Sequence, residues 1–326
     1  MRIFLLLLSM LLPVSAYAAC EGRDLMQDLS PASKAEFDAT LATLPFPEGN
    51  HWIATKDQTT LHIIGTLHLN FPQMDAIVDR LAPTLKHADA FYFEVTKDEL
   101  DAWEKRLAAD PSPVLITSGP TLVDLLPEED WADLSAILAE RGIPSWMAAK
   151  MRPWFLGMML ALPTCILQTP QPEFGLDTRL TALAKEHGIA QHSLESIDDL
   201  MRLFNRYPLE DQAKSLARMT ATFQQGEDQI TTMANSYFNE RHAEVLLFGR
   251  LFGRELAGLP EDEFEEEWVK IEQSLLVERN NSWMQRILAI EDQSAVIAVG
   301  AAHLGDTYGL LNQLQTAGYT LTRAPF

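Results

Sequence analysis

Cysteine is almost missing from this chain of 326 residues: there are two, Cys20 and Cys165. That excludes a disulfide-rich scaffold and a cysteine-based zinc site. Positive charge is also short. Twenty-five Lys and Arg stand against 46 Asp and Glu, a formal net charge of −21. A chain with no basic surplus has no face for a phosphate backbone, so nucleic acid is not an expected partner. Beyond the N-terminus there is no long apolar run. The stretch 154–162 is apolar but bracketed by Pro153 and Pro163, and it falls well short of the roughly 20 residues a membrane span requires. It reads as a buried helix, and its Met and aromatic content as core. Reaction-specific signatures are absent too. No Gly-x-Ser-x-Gly elbow, P-loop, Gly-x-Gly-x-x-Gly fingerprint or His-Glu-x-x-His helix occurs. Cys165, in an apolar stretch beside Pro163, is a poor nucleophile.

The N-terminus carries what the interior lacks. Arg2, the apolar residues 3–12 and Ala16-Tyr17-Ala18 have the order of a secretory signal with a small-x-small cleavage site. Its apolar part is too short to anchor the chain. Tyr17 stands where a lipobox wants an aliphatic residue, which argues against lipidation at Cys20. The expectation is a secreted, periplasmic chain of 19–326, folded as a single domain. Loss of Arg2 takes its charge from −21 to −22. In an oxidising compartment the even cysteine count points to a Cys20–Cys165 disulfide tying the new N-terminus to the middle of the chain. The alternatives are two free thiols or a lipidated Cys20.

Two distant stretches share one pattern. Leu61-His62-Ile63-Ile64-Gly65-Thr66-Leu67-His68 and Ala295-Val296-Ile297-Ala298-Val299-Gly300-Ala301-Ala302-His303 are apolar, largely β-branched runs ending in Gly-x-x-His. Each reads as a buried strand with a His just past its C-terminal end, the edge at which open α/β sheets bind ligands. A third buried-strand pattern, Ala90-Phe91-Tyr92-Phe93-Glu94-Val95, sets a carboxylate into an apolar run. Residues 52–55 and 61–65 around Lys56-Asp57-Gln58 form a hairpin. A helical pattern over 73–87 leads into the 91–95 strand. Strand, helix, strand predicts a parallel pair, which would put the Gly65 and Phe93 strands side by side. Residues 190–194 read as another strand, 271–290 as a strong helix with core residues Ile271, Leu275, Trp283, Ile287 and Leu288, and 319–323 as an edge strand. The fold class is α/β: a mixed β-sheet from two βα-type halves, each with one Gly-x-x-His, and a large helical insertion over about 198–290.

The chemistry follows from residue type. A buried Glu needs a cation, a proton or a metal. His68 and His303 as imidazole ligands, with Glu94 as ligand or general base, would hold a divalent metal such as Mn, Co or Zn and leave positions for water. Arg279 would stabilise an oxyanion or bind a substrate carboxylate; otherwise it is a helix salt bridge to Glu278 or Glu272. Asp177 and Glu195 are candidates to support these side chains, or are only a helix cap and a sheet-edge hydrogen bond.

Gly65-Thr66-Leu67-His68, Glu94, Glu278-Arg279-Asn280 and Val299-Gly300-Ala301-Ala302-His303-Leu304 resemble the TraB/GumN/Tiki family, in its bacterial secreted GumN-like branch. Cys20-Glu21-Gly22-Arg23-Asp24-Leu25, Gly175-Leu176-Asp177, Leu194-Glu195 and Gly318-Tyr319 extend the resemblance over nearly the whole mature chain. It implies a Tiki-like metal-dependent peptidase, with His68, Glu94 and His303 at the metal, Arg279 beside it and Asn280 next in line. The animal Tiki proteins are membrane-anchored proteases; this chain has no second apolar segment of that kind. The expected partner is a peptide or protein substrate. The rival expectation is a periplasmic binding or accessory protein that uses the same crevice without turnover. Hydrolysis of a non-peptide ester is a third.

Overall fold

A computed structural model describes residues 20–168, 171 and 174–326. The expected signal and its cleavage site lie outside the described residues. Six strands form one mixed sheet: β1 (His51–Lys56), β2 (Thr59–Thr66), β3 (Ala90–Phe93), β4 (Ala190–Ser193), β5 (Ser294–Gly300) and β6 (Thr320–Arg323). Their order is β4-β3-β5-β2-β1-β6. β4, β3, β5 and β2 run parallel, and β1 and β6 continue the sheet antiparallel. The hairpin falls as the sequence predicts, with Asp57 at φ 54° in its tight turn. β6 is at the sheet edge, as expected.

One neighbour relation differs. β2 and β3 are not side by side, because β5 lies between them and pairs with both. The reason is burial. Ala295, Val296, Ile297, Ala298 and Val299 are all at or below 2 % exposure, and a strand apolar on both faces belongs in the middle of a sheet. The crossover through the Met74–Leu85 helix therefore passes over a vacant slot that the last parallel strand fills.

Side-chain alternation divides the core in two. Ile64, Phe91, Phe93, Val296 and Ala298 pack under the helices Met74–Leu85 and Leu176–Glu186. Leu61, Ile63, Ala295, Ile297 and Val299 face Trp283, Ile287, Leu310 and Leu314 on the other side. Helices also fill the chain between β3 and β4. Leu122, Leu134 and Leu156 from that stretch share a third cluster with Leu216 and Phe223, so the helical part draws on both sides of β4. The N-terminal helix Pro31–Leu41 docks on apolar residues of the helix His242–Ala257, where Phe37 clusters with Phe248 and Leu251. Cys20 and Cys165 form a disulfide with Cα atoms 5.3 Å apart. No helix among the described residues is long and apolar enough to cross a membrane.

The predicted helix over 271–290 is interrupted. Gln273–Val277 is a π-helical turn and Glu278–Ile287 resumes as α-helix. A π turn holds more residues than an α turn and rotates everything before it about the axis. Trp283 and Ile287 are fully buried as expected, but Ile271 is 42 % and Leu288 48 % exposed. Ile271 is turned out by the π segment, and Leu288 lies on the face away from Ile287.

Candidate active site at the C-terminal edge of the parallel strands

The four parallel strands end at one edge. Their register sets Gly65 beside Val299 and Thr66 beside Gly300. His68 follows β2, Glu94 follows β3, Glu195 follows β4 and His303 follows β5 in a single 3-10 turn, Ala301–His303. The two Gly-x-x-His motifs thus meet on adjacent strands, as the sequence predicts if those strands pair. Gly175 completes the edge. A Cβ there would collide with the Leu67 carbonyl and the His68 backbone. Only glycine permits that approach, and it lets the Leu176 N–H donate to Leu67 O at 3.0 Å. Asp177, in the first turn of the following helix, is thereby held against His68.

Glu94 is the hub. Its Oε1 accepts the Gly300 N–H at 2.7 Å and its Oε2 accepts Arg279 Nη2 at 2.6 Å. Nε2 of His68 and Nε2 of His303 each lie 4.0 Å from Glu94 Oε1. Both imidazoles are held from behind. His68 Nδ1 is 3.1 Å from Asp177 Oδ1. His303 Nδ1 is 2.7 Å from Asn280 Oδ1. The Asn280 amide donates from Nδ2 to the carbonyls of His303 at 3.3 Å and Tyr308 at 3.0 Å. That fixes its oxygen toward the ring, so Nδ1 carries the His303 proton and Nε2 keeps its lone pair. Trp283 packs on the His303 ring with centroids 4.4 Å apart.

Arg279 closes the site from the helix side. Its Nε donates to Glu195 at 3.0 Å, Nη2 to Glu94 and Glu195, and Nη1 to Leu275 O at 3.3 Å and to His303 Nε2 at 3.2 Å. All five N–H groups are engaged, and the guanidinium lies 4.7 Å over the Trp283 ring. Glu278, the nearest acidic neighbour in sequence, pairs instead with Arg206.

These contacts set the charges. Burial pulls the His68 pKa down, but the hydrogen bond and charge of Asp177 and the charge of Glu94 outweigh it, and the group is raised to about 9. Burial pushes Glu94 up, yet Arg279, the two histidines and the Gly300 N–H bring it down to about 2. Burial holds His303 down to about 3 despite Glu94. Burial raises Glu195, with Arg279 opposing. At neutral pH the cluster therefore contains an imidazolium, a neutral imidazole, a guanidinium and a carboxylate hub.

The donor chemistry suits a divalent cation: a neutral imidazole with its tautomer fixed, a carboxylate, and a second imidazole that must release a proton first. A Cβ on Gly300 would stand 3.3 Å from Glu94 Oε1, 3.6 Å from His303 Cδ2 and 3.7 Å from His68 Nε2, so the glycine leaves open the volume that all three face. As the side chains stand, no three His, Cys, Asp or Glu among the described residues are near enough to hold an ion. The 4.0 Å separations exceed the roughly 3.0–3.4 Å between ligand atoms about 2.1 Å from one metal. Loading requires the His68 side chain, 57 % exposed, to move inward, Glu94 and His303 to close by a fraction of an ångström, and Arg279 Nη1 to release His303 Nε2.

A cavity of about 340 Å³ opens over this cluster. Its far walls come from the helices Gly226–Phe238, His242–Ala257 and Glu261–Glu272 and from the π turn. Met233, Val245, Leu246, Trp268 and Leu275 make it largely apolar. Sequence reasoning missed Trp268 and three of its polar residues. Tyr237 donates from its hydroxyl to Gly65 O at 3.0 Å. His242 is buried beside Phe46 O at 2.9 Å. Trp268 and Glu272 line it as well. Only Glu272 left a trace in the sequence, standing seven residues before Arg279 on one helical pattern.

Comparison with known proteins agrees with the shared motifs. The chain is 24 % identical over 264 residues to the uncharacterized protein YbaP of Escherichia coli (strain K12), covering 78 % of this chain and 90 % of that one. It matches YbaP of Shigella flexneri to the same extent. Residues 50–323 match the model of one family over a span that includes His68, Glu94, Arg279 and His303, and the chain belongs to that family, TraB/PrgY/gumN.

Proposed function

We propose that this protein is a secreted, metal-dependent hydrolase, and on the Tiki-like resemblance a peptidase, that works in the crevice at the strand ends. One observation carries the reading. Two imidazole Nε2 atoms delivered from opposite ends of the chain lie at equal distance, 4.0 Å, from the same Glu94 oxygen, beside a glycine that keeps the intervening space free. His68, Glu94 and His303 would hold the ion. When bound, a divalent cation such as Mn, Co or Zn supplies Lewis acidity, polarising a carbonyl and lowering the pKa of water.

The chain's own residues do the rest. Asn280 keeps His303 in the tautomer that presents Nε2. Asp177 orients His68. Glu94 has an anionic oxygen on the crevice side and accepts the proton of an attacking water there if it is not fully engaged as a ligand. Arg279 has no free donor to offer a substrate in this arrangement, so we assign it to positioning: it anchors Glu94 and balances Glu195. The apolar walls exclude water and give a peptide side chain somewhere to pack. The disulfide supports secretion, because such bonds persist in oxidising compartments.

The test is metal content of the purified mature protein beside His68→Ala and His303→Ala, followed by cleavage of a peptide library. Stoichiometric metal in the wild type, lost in both variants together with cleavage, is the expected result. Metal and cleavage unchanged in both variants would sink the proposal. In the unloaded cluster every charge already has a partner, His68 with Asp177 and Arg279 with Glu94 and Glu195, and that favours one rival. If no metal binds from Mn, Co or Zn solutions, the crevice belongs to a binding protein.

A further inference from the structure

Glu272 is an unusual side chain for an apolar cavity wall. It lines the 340 Å³ crevice. It also lines a smaller adjoining cavity of about 60 Å³ with Arg250, Asp306 and Tyr308. Its Oε1 accepts the Tyr308 hydroxyl at 3.0 Å. No ion pair reaches it among the described residues. The nearby cation, Arg250, is committed to Glu265 through Nε at 2.8 Å and Nη2 at 2.7 Å. Burial raises the Glu272 pKa and Asp306 and Glu265 add to the rise, while the Tyr308 hydrogen bond and the more distant charge of Arg250 oppose it. A half-buried carboxylate held beside like charges and served by one neutral donor is a group whose local field favours a positive ligand.

Its place relative to the metal-ligand cluster is fixed by the helix. Trp268, Ile271, Glu272, Leu275, Leu276 and Arg279 all line the crevice, one or two residues from each successive turn, so one broad helical face forms this wall. Seven residues separate Glu272 from Arg279. An unbroken α-helix would rise about 10 Å over that length, and the π turn between them shortens it somewhat. An extended peptide rises about 3.3 Å per residue, so this length holds about three residues. The wall between them is apolar, formed by Leu275 and Leu276.

We propose that Glu272 is a specificity-determining residue of the crevice, selecting substrates with a cationic nitrogen about three residues from the bond that lies at His68, Glu94 and His303, with apolar residues between. The proposal rests on the hydrolase reading for the position of that bond and on Glu272 itself for the charge. The nitrogen is either a peptide α-ammonium or the side chain of a Lys or Arg. Both present the same charge-assisted hydrogen bond to the carboxylate.

A walking set of peptides tests it on the wild-type protein loaded with metal. Each carries one Lys, shifted residue by residue along an otherwise neutral apolar sequence, against norleucine at the same place. Each is made with a free and with an acetylated N-terminus. The expected result is a kcat/KM advantage of Lys over norleucine of at least about tenfold, peaking near three residues from the cleaved bond, that collapses toward unity in Glu272→Gln. If acetylated peptides keep the advantage, the side chain is the source; if only free N-termini show it, the α-ammonium is. Equal rates for Lys and norleucine at every position and both termini would overturn the proposal. So would the same ratio in wild type and Glu272→Gln. A second readout separates this from the hydrolase reading: the rise in Tm on adding each peptide, which reports binding without turnover. Lys-selective stabilisation without cleavage keeps the Glu272 site and removes the hydrolase. Cleavage without Lys selectivity does the reverse.

Discussion

Replacing Arg279 by Met tests whether the site is held by charge. The guanidinium is 12 % exposed and serves Glu94, 18 % exposed, and Glu195, 8 % exposed. Met fills much of the same volume but leaves the buried Glu195 without a cation and Glu94 with only the His68 imidazolium, 4.0 Å away. Removing one member of such a pair costs about 3–5 kcal/mol. At about 2 °C per kcal/mol for a chain of this length, Tm should fall by roughly 6–10 °C at pH 7. The pH dependence gives the sharper reading. In the wild type Glu94 is held at about 2 instead of its ordinary 4.5, a difference worth about 3 kcal/mol. Its folded pKa is depressed, so this stability is present above pH 4.5 and is lost as the pH falls toward 2. Glu195 is shifted upward and has the opposite sign, opposing folding at neutral pH and easing as it protonates. Without Arg279 both carboxyls titrate higher than in the wild type. The variant should therefore lose little on acidification while the wild type loses most of its advantage. Thermal unfolding followed by circular dichroism from pH 7 to pH 3 measures this directly. A variant as stable as the wild type at pH 7, or a gap that stays constant across the range, would refute the reasoning. Arg279→Lys, which keeps the charge and loses the fork, should fall between the two.

Gly300→Ala should leave Tm within a few degrees yet abolish metal uptake, read by metal analysis, because its methyl would stand 3.3 Å from Glu94 Oε1 and 3.7 Å from His68 Nε2. Asn280→Ala should destabilise the chain by about 1–3 kcal/mol by orphaning buried polar groups. It should also weaken metal binding by about 10–100-fold by freeing the His303 tautomer, measured by chemical denaturation and metal titration. Cys165→Ser should cost about 2–4 kcal/mol; the chain-entropy limit for a separation of 145 residues is about 5 kcal/mol. Denaturant melts of this variant beside reduced wild type should coincide, and a variant as stable as the oxidised wild type would remove the constraint from the account.

The strands were legible because apolar runs bounded by Gly have few other uses. The pairing of the two Gly-x-x-His motifs was legible because they repeat one pattern. The neighbour order was not. A strand, helix, strand pattern states direction, while adjacency depends on which other strand competes for the slot, and β5 is more completely apolar than β3. The π turn at Gln273–Val277 was invisible because it changes geometry without changing helical composition. It misplaced Ile271, and it is the turn whose Leu275 carbonyl receives Arg279 Nη1. By residue type alone Arg279 points to a role against the substrate. Its partners, Glu94 and Glu195, are more than 80 residues away in sequence, and no local pattern says that its donors are already spent. The crevice wall was hidden for the same reason, since Tyr237 and His242 sit in ordinary helical surroundings until the fold turns them toward the strand ends.

The order of the strands also says when the site comes into being. His68 and Glu94 belong to the first hundred residues, yet nothing joins β2 to β3 until β5 arrives between them. That one strand brings the Gly300 N–H that binds Glu94 Oε1, the bare glycine surface that leaves the ligand volume open, and His303 itself. The preceding helix brings Arg279 and Asn280, which fix Glu94 and His303. The cluster therefore cannot exist in part. Before β5 docks, Glu94 has neither its backbone donor nor its guanidinium, and a carboxylate so placed titrates near its ordinary value and stays in water. Docking the most apolar strand in the chain supplies the free energy that buries the charges; burial then holds His303 neutral, while Asp177 and Glu94 keep His68 charged. The two Gly-x-x-His motifs at the two ends of the chain are in this sense one element, completed by the last strand of the parallel sheet.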